Sequence, residues 1–99
     1  MMTVIAKLKV KPGREASFEQ AAQKMIAHVK AHEPGTVTYL LNRATADPTE
    51  FVFYEIYADP AAFAAHGSSE PMQQFFGAVG ALLDGQAEIK MYEEIGGKR

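Results

Sequence analysis

The run FVFYEIYADPAAFAAH (51–66) ends on His66, whose side chain ordinarily titrates near neutral pH and can therefore take or give a proton under working conditions. A histidine at the end of a short helix can equally cap it or hydrogen-bond a backbone carbonyl. Tyr54 in the same run, and Tyr39 upstream, carry hydroxyls able to hydrogen-bond a ligand oxygen, although tyrosines in half-buried strands also fill cores and interfaces. Asn42 could orient a substrate oxygen or form the turn beside it. Glu55 is a carboxylate inside an apolar strand: burial would raise its pKa toward that of a useful base. An ion pair with Arg43 or Lys7, across the sheet or a dimer face, is the favoured reading for it. His28 and His32 stand at i, i+4, a spacing that can chelate a metal. They fall on or beside the polar face of their helix with no further histidine near in sequence, so they read as solvated and no metal site is expected.

Other chemistries are excluded by what the chain lacks. With no cysteine among 99 residues, thiolate catalysis, disulfides and cysteine-ligated metals are ruled out. The glycines at 77, 80, 85, 96 and 97 form no GxGxxG or P-loop pattern, so no nucleotide cofactor is expected. Ten Lys and Arg against twelve Asp and Glu, scattered along the chain, argue against nucleic acid or an anionic membrane as partner. The start MMTVIAKLKV has no long apolar region and no stretch approaches transmembrane length, so a cytoplasmic location is the expectation.

The elements that must position these residues follow from apolar periodicity. Residues 3–10 alternate, with Val4, Ala6, Leu8 and Val10 on one face of a half-buried strand, and KPG (11–13) ends it. Phe18, Ala21, Ala22, Met25, Ile26 and Val29 form the apolar stripe of a helix over 14–32, which Pro34-Gly35 stops, glycine tolerating a left-handed cap. Strands at 36–44 and 51–58 make a hairpin around the turn 46–50. Asp59-Pro60 then opens a short helix toward His66, as an N-cap followed by proline. A further helix over about 70–84 presents Met72, Phe75, Phe76, Val79 and Leu83 on one face, with Ser69 as cap. A fourth strand, 87–95, alternates Ala87, Ile89 and Met91 against Glu88, Lys90 and Tyr92. Phe63, Met72, Phe75 and Phe76 read as core, and the helix face they share would bound any cavity against the sheet.

The order is β-α-β-β-α-β, so the expected fold is a single α+β domain over 1–99, a ferredoxin-like split arrangement with a four-stranded antiparallel sheet and its helices on one face. One side of the sheet is then left bare, and it carries either Phe51, Phe53 and Tyr57 or Val52, Tyr54 and Ile56. Strand 36–44 adds Val37, Tyr39 and Leu41 on one side and Leu40 on the other. An uncovered apolar face on the order of several hundred Å2 predicts a homodimer that pairs sheet to sheet.

The strand ending in KPG, the helix ending in EPG (33–35), the strand carrying Tyr39 and, above all, DPTEFVFYEIYADPAAFAAH (47–66) resemble the antibiotic biosynthesis monooxygenase domain family of the dimeric α/β-barrel superfamily. The resemblance covers nearly the whole chain. It implies a dimer whose protomers each hold a pocket between sheet and helices, and a monooxygenase that oxidises a phenolic, quinol or polyketide-like aromatic substrate with O2, using no flavin, haem or metal. His66 matches the histidine of the family's AAH-type motif and is the expected catalytic base or hydrogen-bond partner, with Tyr54 beside it. Tyr39, Asn42, Phe63, Met72 and Phe76 are the expected substrate contacts. Haem-degrading members carry an Asn, a Trp and an iron-binding His where this chain has Ala6, His66 and Phe76, so haem degradation is not expected. An isomerase or decarboxylase-like activity on a small oxygenated metabolite, or a non-catalytic ligand-binding stress-response dimer, stay open as alternatives.

Overall fold

Alternation in TVIAKLKV sends Val4, Ala6 and Leu8 to one side, and the segment forms β1 (Met2–Lys9) of the computed structural model, which describes residues 1–99. A helix, α1 (Glu15–His32), follows and buries Phe18, Ala22, Met25 and Val29. The hairpin strands are β2 (Thr36–Arg43) and β3 (Glu50–Tyr57). After them come α2 (Pro60–Ser68), α3 (Glu70–Val79) and β4 (Glu88–Glu93). The strands pair antiparallel in the order β2-β3-β1-β4, the expected ferredoxin-like arrangement. The helices lie on one face, where Phe18 sits 4.7 Å from Phe51 and 6.0 Å from Phe75, ring centre to ring centre, at the heart of the core. No helix is long and apolar enough to cross a membrane.

The structure decides which face of β3 looks where. Phe51, Phe53, Glu55 and Tyr57 are buried, and all four alternate toward the helices, while Tyr54 on the other face is exposed. In β2 the pairing slips between Thr36 and Thr38. Val37 is consequently exposed, although simple alternation grouped it with the half-buried Tyr39 and Leu41.

Three local expectations need correction. The last helix ends at Val79 rather than near 84, passing into a 3-10 turn at Gly80–Leu82. The chain there is drawn into bonding with the end of β1, Lys11 N–H to the Leu82 carbonyl and Asp84 N–H to that of Lys9, so Leu83 leaves the helical stripe and bridges Val10. Ile89 and Met91 share a face with Ala6 and Val4 but remain about half exposed, because β4 is an edge strand bonded only to β1 and no helix lies over it. Gly35 is not in the left-handed region. A Cβ there would lie 2.7 Å from Ala62 Cβ, so the glycine is required by the close approach of α2.

Candidate functional site

Two caps place the histidine. Asp59 Oδ1 accepts from Ala62 N–H at 2.8 Å and Pro60 opens α2. Ser69 Oγ in turn accepts from Met72 N–H and donates to the His66 carbonyl, fixing the corner between α2 and α3. His66 thus lies over β3 and against the loop that follows α1, only 2% exposed. Between the inner sheet face and α2 and α3 lies a cavity of about 350 Å3. Its walls are apolar, with Phe53, Phe63, Met72, Phe75 and Phe76 among them, and its polar side chains are Tyr39, Glu55, His66 and Gln73.

His66 Nδ1 is 2.7 Å from Glu33 Oε1, which also accepts from the Thr36 hydroxyl at 2.9 Å. A carboxylate can only accept, so the proton of the neutral imidazole belongs on Nδ1 and Nε2 carries the free lone pair. Nε2 is buried and no protein group partners it. A buried polar atom left in this state, on a residue lining an apolar cavity, is the mark of a site built for a polar atom of something else. On the far side of the carboxylate, Glu33 Oε2 lies 3.1 Å from His28 Nε2, a close contact that is out of line for a hydrogen bond.

Glu55 makes neither of the expected ion pairs. Arg43 binds Glu19 and lies over the Phe51 ring, and Lys7 faces Glu50 and Glu88 on the opposite side of the sheet. Strand alternation turns Glu55 inward, where it is buried and accepts from the Tyr57 hydroxyl. Burial pushes its pKa up to about 7, against the opposing effect of that hydrogen bond and with a smaller push from Glu33. Burial, then the nearby Glu55 and Glu33, holds the Tyr39 phenol above its ordinary value, so it stays protonated and available as a donor.

Of the residues expected from sequence, His66, Tyr39, Phe63, Met72 and Phe76 converge on this cavity. The Tyr39 and His66 ring centres are 5.1 Å apart. Tyr54 and Asn42 do not join them: both project from the opposite sheet face, where Asn42 Nδ2 reaches the carbonyls of Leu40 and Val52 at 3.3 Å. Glu33 and Gln73 were not anticipated. Glu33 stands 33 residues from His66 and looks like part of a helix-ending turn; only the folding back of α2 joins them. His28 and His32 are beside Glu33, yet no group of three or more His, Asp or Glu side chains is arranged to hold a metal ion.

The model of the family described as antibiotic biosynthesis monooxygenase matches residues 1–78. A Bacillus subtilis protein named as a candidate monooxygenase, YcnE, is 29% identical over 89 residues, covering 90% of this chain and 93% of its own. The uncharacterized protein sll1783 of Synechocystis is 28% identical over 93% of this chain, which spans only 62% of that relative's length. A crystal structure of a candidate antibiotic biosynthesis monooxygenase from Caulobacter crescentus superposes with a TM-score of 0.92 at 30% identity, over 96% of this chain and 90% of its own.

Proposed function

The chain belongs to the antibiotic biosynthesis monooxygenase family, and from that premise we propose that it oxidises a small phenolic, quinol or polyketide-like aromatic compound with O2, without a cofactor. The observation that carries the reading is the unpartnered Nε2 of His66 in an aromatic-lined cavity, with Glu33 holding the other ring nitrogen. Nε2 accepts the phenolic proton, Glu33 stabilises the resulting imidazolium, and the Tyr39 hydroxyl donates to a substrate oxygen. The electron-rich phenolate reduces O2 itself. A C–O bond forms at the ring, the O–O bond breaks, and a hydroquinone plus O2 becomes a hydroxyquinone plus water. The substrate supplies all four electrons, so no separate reductant enters the balance. The apolar walls keep bulk water from the anionic and peroxidic species.

Oxygen uptake by the purified protein on a panel of hydroquinones and polycyclic phenols, without added cofactor and corrected for autoxidation, tests this. His66→Ala is expected to lower turnover by about a hundredfold. Absence of enzyme-dependent uptake across the panel would direct attention to isomerisation or to simple ligand binding. The same reading includes a homodimer formed through the outer sheet face, where Leu40 and Tyr54 are exposed side by side, paired across β2 and β3.

A further inference from the structure

His66 forms part of two cavities at once. One is the apolar cavity just described. The other, about 400 Å3, opens on the far side of the imidazole and is lined by His28, His32, Glu33, Thr36, Ser69 and their neighbours. The imidazole therefore stands as a partition between an apolar chamber and a cleft that carries His28, His32 and the Glu33 carboxylate. Two contacts lead outward from the imidazole: the hydrogen bond of His66 Nδ1 to Glu33 Oε1 at 2.7 Å, and the approach of Glu33 Oε2 to His28 Nε2 at 3.1 Å, which a turn of the carboxyl group brings into line. Exposure rises along the same line, from 3% for the His66 side chain to 12% for Glu33 and 23% for His28.

We propose that Glu33 and His28 form a proton-exchange path that connects the base in the cavity to solvent in the cleft. The inference rests on the role given to His66 above: its side chain is only 3% exposed and its Nε2 is buried, so proton exchange with water runs best through its carboxylate partner. A proton received at His66 Nε2 releases the Nδ1 proton to Glu33 Oε1. A half-turn of the carboxyl group presents that proton to His28 Nε2, and His28 passes the proton on its second nitrogen to water. Oxidation of a hydroquinone as written above releases no net proton, so the path stores and returns one proton per turnover. Its effect is to let the buried base follow the solvent while the cavity is closed. The titratable and polar groups facing Glu33 and His28 are His32 on α1, with its ring centre 5.4 Å from that of His28, the Thr36 hydroxyl at the start of β2, and His66 on α2. His28 is thus a positioning and relay residue, with no contact to the cavity itself.

The decisive measurement is the exchange with water of the His66 Nδ1 proton, followed by NMR on protein labelled with 15N in its histidines, in wild type and His28→Gln. Slower exchange in the variant by about tenfold or more, or a ring proton visible only there, supports the path. Return of fast exchange on adding free imidazole, which the cleft has room for, supports it further. Equal exchange in both proteins, or a signal absent from both, overturns it. His28→Asn replaces the first variant should the glutamine fail to fold. A parallel assay of oxygen uptake separates the two readings: a wild type without turnover defeats the oxygenase reading and leaves the exchange result intact. With turnover present, a His28→Gln defect rescued by imidazole supports the relay, and one that imidazole leaves unchanged counts against it.

Discussion

Glu33 and Glu55 are two carboxylates near one histidine, and their surroundings give them opposite tasks. Glu33 Oε1 accepts from the Thr36 hydroxyl and the His66 ring, and His28 Nε2 lies 3.1 Å from its other oxygen. Glu55 has one donor, the Tyr57 hydroxyl, in an otherwise apolar wall. Its proton is therefore held more tightly in the folded chain, near pH 7, than in the unfolded one, near 4.5. The stabilising contribution of protonated Glu55 is therefore complete below about pH 4.5 and is lost as pH rises through about 7. The loss is on the order of 3 kcal/mol. Urea denaturation at pH 5 and pH 8 should show wild type losing more stability than Glu55→Gln over that interval; parallel losses would remove Glu55 as the source.

At the scale of elements, the positioning of His66 depends on how closely α2 approaches the start of β2. Gly35→Ala puts a methyl carbon 2.7 Å from Ala62 Cβ, and one of the two segments must move. Overpacking of this kind costs about 1–3 kcal/mol, so the melting temperature should fall by several degrees. The shift of α2 should also lengthen the His66–Glu33 contact and lower turnover; a variant with native melting and native turnover would show that the approach is tolerant. Element type and order were legible from periodicity, because the stripe of α1 and the alternation of β1 reflect burial on one side only. The helix face that carries Phe63, Met72, Phe75 and Phe76 was legible as a cavity wall for the same reason, whereas His66 and Tyr39 stood out only by their chemistry and by the resemblance. What escaped was decided between elements: the inward turn of Glu55, the outward turn of Tyr54, and the meeting of His66 with a glutamate 33 residues away. A single strand's alternation shows two faces without saying which is covered. Residues 80–84 escaped because backbone bonds to β1 overrode a helical apolar spacing.

For the molecule as a whole, the helices cover one face of the sheet and leave Leu40 and Tyr54 on the other exposed by 56% and 38%. If that face pairs with a second copy, Leu40→Glu places two charges into an apolar interface and should yield monomers by light scattering at concentrations where wild type is dimeric. An unchanged mass would move the interface elsewhere. The outer face also carries Lys7, Glu88 and Lys90, an edge of mixed charge beside the apolar centre.

The cavity borrows part of its wall from β4, through Ile89 and the preceding Ala87, and β4 is the strand with one bonded neighbour and no helix above it. A molecule lodged there touches the helices and the last strand together. Such a molecule would act as a clasp between the helices and a strand that is otherwise bonded only to β1, so that part of its attraction would go into holding that strand. By the same reciprocity, whatever fastens β4 from outside tightens the hold on that molecule without touching it.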